Sequence, residues 1–184
     1  MGDGITAVNV TSRLTSADNR AQRQPVVRGA VYTVEERRRR DATVWTTVQA
    51  ILAPVQFLVF LVSLALVLYA LGTDSLHGAA AVSVVAKTTV LYTIMVTGAI
   101  WERVVFGQYL FAPSFFWEDV VSFLVIALHT AYLAVLFLGI GSPTSQLFVA
   151  LAAYAVYVIN AGQFVLKMMA AKREERSLAL GAAA

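Results

Sequence analysis

The chain has 184 residues, 59% of them hydrophobic, with a mean hydropathy of +0.71, far too apolar for a soluble domain of this size. It has no cysteine, which excludes disulfides and thiolate metal sites, and its two histidines, His77 and His129, are too few for a histidine-built metal centre. Its net charge of +3 does not mark a nucleic-acid binder, because the basic residues flank apolar runs, as membrane topology requires.

Residues 1–30 are polar and lack the apolar core and cleavage site of a secretory signal, so a flexible cytoplasmic tail is expected. Thr33 and Glu36 have the spacing of a capping box, which predicts a short helix carrying Arg37, Arg38, Arg39 and Arg40 to the membrane surface. Directly before an apolar run, such a block holds its end of the chain in the cytoplasm.

The first membrane helix is expected over 44–71, with a kink near Ala50 caused by Pro54. Gln49, Gln56 and Ser63 recur every seven residues and share one face, which should point inward. Gly72, Asp74, Ser75, His77 and Gly78 make a polar turn. The second helix is expected over 79–104, with Lys87 near enough to its outer end to snorkel to the interface.

Pro113 should stop any earlier helix, and Ser114 should cap a third helix over 114–138. Asp119 and His129 would share a face of it, about three turns apart. After a turn at Ser142-Pro143, a fourth helix is expected over 145–169. Tyr157, Asn160, Gln163 and Lys167 step along one face of that helix, which should turn inward because a polar stripe in lipid is costly. Residues 173–184 read as a tail without evident chemistry. The expected fold is all-α, an integral membrane four-helix bundle over 31–172.

Eight of the fourteen Lys and Arg residues precede the first helix, and the turns after helices one and three have none. Arg103 lies in the central stretch, and four more basic residues lie at the end. Both termini and the central stretch should therefore face the cytoplasm, with Lys87 as the one exception.

Chemistry concentrates in the stretch Trp101–Asp119, WERVVFGQYLFAPSFFWED. It combines the acids Glu102, Glu118 and Asp119 with donors on Arg103, Gln108 and Tyr109 and with several aromatic faces. A plain connector needs none of this. The mixture suits a large, flat, mostly apolar ligand undergoing proton chemistry. An interfacial hairpin with an aromatic belt and capping acids is the simpler alternative. A carboxyl in an apolar pocket disfavours its charged form, so it can stay protonated and act as an acid. His129 could hold or receive the proton of a water. No phosphate-binding loop, nucleotide fingerprint or nucleophile elbow occurs, which favours a reaction without a redox cofactor.

The segments WERVVFGQYLFAP, FFWEDV and VINAGQF, within a likeness covering about residues 31–172, resemble the 3-vinyl bacteriochlorophyllide hydratase family. Arg103 stands where that pattern has lysine. The resemblance implies addition of water across the 3-vinyl group of a chlorophyllide or bacteriochlorophyllide, giving the 3-(1-hydroxyethyl) pigment in bacteriochlorophyll a synthesis. The terminal vinyl carbon would be protonated, and water would attack the conjugated cation. No cofactor is expected, because magnesium belongs to the pigment substrate. The expected location is the bacterial inner membrane, cytoplasmic or intracytoplasmic. Expected partners are the pigment, the bilayer, and either other pigment-synthesis enzymes or further copies of the chain; nucleic acid is not among them.

The resemblance does not fix catalytic residues. The candidates are Glu102, Glu118, Asp119 and His129, and the candidate ring contacts are Trp101, Tyr109 and Trp117 with Gln49, Gln56, Asn160 and Gln163. Glu102 is the first choice for the acid, because helix capping does not explain a carboxylate at a helix C-terminus. The competing reading is a non-catalytic pigment-binding or assembly subunit, with His129 or His77 as a magnesium ligand.

Overall fold

The computed structural model describes residues 31–183, and every regular element among them is a helix. Expectations for residues 1–30 lie outside the described residues. Helix α1 spans Val34–Ala42. Its capping box is complete: Glu36 N–H donates to Thr33 Oγ1 at 3.2 Å, and Thr33 N–H donates to the Glu36 carboxylate at 2.7 Å. Four long helices follow: α2 (Val44–Thr73), α3 (His77–Phe106), α4 (Phe116–Phe137) and α5 (Pro143–Ala183). All four are long and apolar enough to cross a membrane; even the 22 residues of α4 reach about 33 Å.

Polarity is inverted relative to a water-soluble bundle. Ile51, Leu58, Val62, Phe148 and Leu166 point outward, while Gln56, Ser63, Lys87, Thr88, Ser122, His129 and Asn160 are buried. Outward-facing aliphatic side chains need a hydrocarbon solvent, and inside, Ser63 with Tyr154, Lys87 with His129 and Ser122 with Asn160 pair across helices.

Two antiparallel hairpins make the bundle. Along α2 and α3, Trp101 Nε1 donates to Thr46 Oγ1 at 3.0 Å, Gln49 Nε2 to Thr97 Oγ1 at 2.8 Å, and Ser63 and Ser83 share a bond of 2.7 Å. Along α4 and α5, Glu118 meets Lys167 at 3.1 Å, Asn160 Nδ2 donates to Ser122 Oγ at 2.9 Å, and the His129 and Tyr154 rings lie 5.8 Å apart. Packing within each hairpin is more extensive than between them. Between the hairpins, Ser63 meets Tyr154 at 2.5 Å and Lys87 meets His129 at 2.6 Å.

Several boundaries differ from the sequence expectation. Helix α2 contains Pro54, as expected, but ends at Thr73 rather than at Leu71. Helix α5 continues past Met169 to Ala183, so residues 173–183 are not a bare tail. Its extension is rich in helix formers and is held at its side. The Glu174 carboxylate accepts from Val31 N–H and from the Arg37 guanidinium, both at 3.1 Å, and Glu175 pairs with Arg40 at 2.7 Å.

Ser114 does not cap α4. Phe115 occupies the cap position without a side-chain bond, and Ser114 Oγ instead donates to Val31 O at 2.8 Å. Tyr32 packs against Phe106 and Phe115 beneath the Arg40 guanidinium, and burial pushes its phenol up to about 12. The N-terminal segment, the central loop and the end of α5 are thus latched together at one end of the bundle.

Lys87 does not snorkel. It is fully buried, on the same face of α3 as Val84 and Leu91.

Candidate active site

Glu102 lies in the last turns of α3 and Asp119 in the first turn of α4. The loop between them decides how they meet. Gly107 closes α3 at a φ of 84°, its N–H donating to Arg103 O at 3.1 Å. Phe111 then takes a φ of 60°, a left-handed conformation that a bulky residue adopts only when its surroundings over-determine it. This turn aims two successive N–H groups inward: Phe111 N–H donates to Asp119 Oδ2 at 2.6 Å, and Ala112 N–H donates to Glu102 Oε2 at 3.3 Å. The two carboxyls are buried within hydrogen-bonding reach of each other.

The other two proton-handling candidates are engaged elsewhere. Glu118 faces Lys167, whose ammonium also donates to Ser114 O at 2.6 Å. His129 sits about 15 Å farther along α4 from Asp119, at 1.5 Å per residue. Lys87 Nζ donates to His129 Nε2 at 2.6 Å, and His129 Nδ1–H donates to Val125 O at 2.7 Å. The lysine ammonium stands 4.0 Å from the centroid of the Tyr157 ring. Neither histidine nitrogen is free for a magnesium ion.

The predicted amides line the interior at graded heights. Gln56 and Asn160 are buried, and the amide oxygens of Gln56, Asn160 and Gln163 are buried without a hydrogen-bond partner among the described residues. Gln49 is spent on Thr97.

A family model described as 2-vinyl bacteriochlorophyllide hydratase matches residues 32–170, which include the whole of this arrangement. The chain belongs to the 2-vinyl bacteriochlorophyllide hydratase family. It is the family expected from the motifs; the vinyl group merely carries a different locant in the two descriptions. Two relatives bearing that name are close. The protein of Rhodobacter capsulatus is 65% identical over 150 residues, covering 82% of this chain and 87% of the relative. That of Cereibacter sphaeroides is 66% identical over 143 residues, covering 77% and 88%. No solved structure matches.

In this member of the hydratase family the predicted ring contacts are dispersed. Trp101 is packed edge-on against Phe106 and Phe115, inside the latch rather than over the acids. Tyr109 and Trp117 are largely exposed. Beside Asp119, an aromatic row of Phe111, Phe116, Trp117 and Phe123 runs along the outer surface of α4 instead.

Sequence reasoning missed two contributors. Phe111 acts through its backbone, and no residue pattern signals a left-handed phenylalanine. Lys87 was legible, since Val84, Lys87 and Leu91 follow steps of three and four. Its charge, however, argued for the interface more strongly than its register argued for the core.

Proposed function

We propose that Glu102 donates the proton and Asp119 receives one in the hydration of a vinyl bacteriochlorophyllide. By family, the chain is a hydratase of bacteriochlorophyll biosynthesis, acting by addition of water. The observation supporting these residue roles is the buried carboxyl pair, drawn from two helices and tethered by consecutive N–H groups of one loop. Two carboxylates that close do not both ionise readily, so one proton is held between them.

The Phe111 bond is short and favours charge on Asp119, which leaves Glu102 as the acid. Glu102 protonates the terminal vinyl carbon. The cation forms on the carbon attached to the ring, where conjugation spreads its charge. Water adds there and its surplus proton passes to Asp119. A proton returned across the carboxyl pair restores the starting state. Hydration leaves the overall oxidation level unchanged, so no redox cofactor enters the proposal, and magnesium remains part of the substrate. Engagement of both His129 nitrogens disfavours the alternative of a pigment carrier with that residue as axial ligand.

The test is turnover of a vinyl bacteriochlorophyllide by the purified protein in heavy-oxygen water. The expected product carries one labelled oxygen in its hydroxyethyl group. Pigment recovered unchanged would overturn the reading in favour of a carrier.

We further place the chain in the bacterial inner membrane, as a four-helix bundle with both termini and the acid pair on the cytoplasmic side. Support comes from the arginine block and the basic end of α5, which lie at the same end of the bundle as the loop 107–115. Protease added to sealed vesicles should cut tags on both termini only from the cytoplasmic face. Cleavage from the opposite face would reverse the orientation.

A further inference from the structure

Buried groups on α5 remain unused by the proton steps above. Tyr154, Tyr157 and Asn160 are buried, and with Gln163 they turn inward at steps of three residues. Two cross-helix contacts fix the height of Gln163. Lys167 meets Glu118, and Asn160 donates to Ser122. Gln163 lies between Lys167 and Asn160 on the antiparallel helix, so it stands level with the turn Asp119–Ser122.

Asn160 is only 6% exposed, and its Nδ2 is committed to Ser122. That commitment leaves Oδ1 as a pure acceptor facing the interior. Gln163 Oε1 is likewise buried and unpartnered among the described residues. Unpaired acceptors are costly inside a membrane protein. Two of them, within about a turn of the level of Asp119, call for a small molecule that donates twice.

We propose that the amide oxygens of Gln163 and Asn160 hold the water that attacks the pigment cation, and so determine which face of the new alcohol carbon receives the oxygen. This rests on the acid-pair reading above. A water bound through both hydrogens presents its lone pair away from the amides, toward the electron-poor carbon. As the carbon–oxygen bond forms, the oxygen becomes positively charged, and one of its protons leaves its amide acceptor and turns to the Asp119 carboxylate, which takes it. Gln163 and Asn160 exchange no protons; they are positioning residues. If they are removed, the cation still forms but waits longer for its nucleophile, and it can return its proton to Glu102.

The test uses Gln163→Met, which keeps the volume and removes the acceptor, with Asn160→Leu as the second variant. Both are assayed with a vinyl bacteriochlorophyllide, in ordinary water for the epimers and in deuterium oxide for exchange. Turnover should fall about tenfold, as for one lost hydrogen bond to a reacting group. The ratio of alcohol epimers should move toward one to one. Deuterium should accumulate on the terminal vinyl carbon of unreacted pigment, reporting cations formed and reversed. An unchanged epimer ratio in both folded variants, whatever the turnover, overturns the proposal. So does a wild-type product that is already an even mixture. Near-native turnover by a Glu102→Gln variant would instead strike the acid-pair reading on which the proposal rests.

Discussion

Glu102→Gln should lower hydration by roughly 10²- to 10⁴-fold, the usual contribution of a positioned general acid, while the protein stays folded. The side-chain amide is nearly isosteric with the carboxylic acid, and its oxygen can still accept from Ala112 N–H, which donates to Glu102 at 3.3 Å. The loop 107–115 therefore keeps its anchor, and the proton available to the vinyl carbon is what is lost. Turnover and pigment binding, read from the absorption shift on titration, separate the two effects. Binding should persist where turnover does not. Asp119→Asn provides the companion measurement, since it removes the base. Near-native turnover in both variants would refute acid–base catalysis by this pair.

The second large effect is expected at Phe111, through its backbone. A valine at a φ of 60° is a severe outlier, because its branched Cβ crowds the backbone in the left-handed region. Phe111→Val should therefore swing the loop and withdraw two adjacent N–H groups from the carboxyls, a displacement of the kind that costs about a hundredfold in rate. Phe111→Gly is the control. It removes the same ring but adopts the left-handed conformation freely, so both carboxyls should stay tethered and most of the activity should remain. Equal losses in the two variants would assign the effect to the aromatic ring, and full activity in the valine variant would remove the loop from the site.

Much of the architecture was legible because a bilayer imposes few solutions. Four apolar runs must become helices, and their polar faces must turn inward. The seven-residue spacing of Gln49, Gln56 and Ser63 and the stepping of Tyr157, Asn160 and Gln163 gave the inward faces directly. Elsewhere, local rules lost to tertiary contacts. Ser114 fits a helix cap, yet its hydroxyl is drawn to Val31 O, 83 residues away in sequence. Residues beyond Met169 look like a solvated charged end, yet Glu174 and Glu175 have partners near the opposite terminus. Glu118 and Asp119 are adjacent, and by sequence they are equivalent acids. Successive helix positions diverge by about 100°, so one meets Lys167 while the other meets Glu102. No rule acting on neighbouring residues distinguishes them.

The latch also sets an order of assembly. Val31 leaves the ribosome early, and its N–H finds the Glu174 carboxylate only after 143 further residues have been made. By then α2, α3, α4 and most of α5 have been synthesised. The arginines before α2 wait through that interval without their carboxylate partners on α5, free to engage anionic headgroups at the membrane surface. The bridge between the two ends of the described chain is therefore among the last contacts to form. Ser114 is tied to the same Val31, so the central loop belongs to the same latch. A nascent chain halted before Glu174 would hold both acids but leave that end of the bundle unsealed.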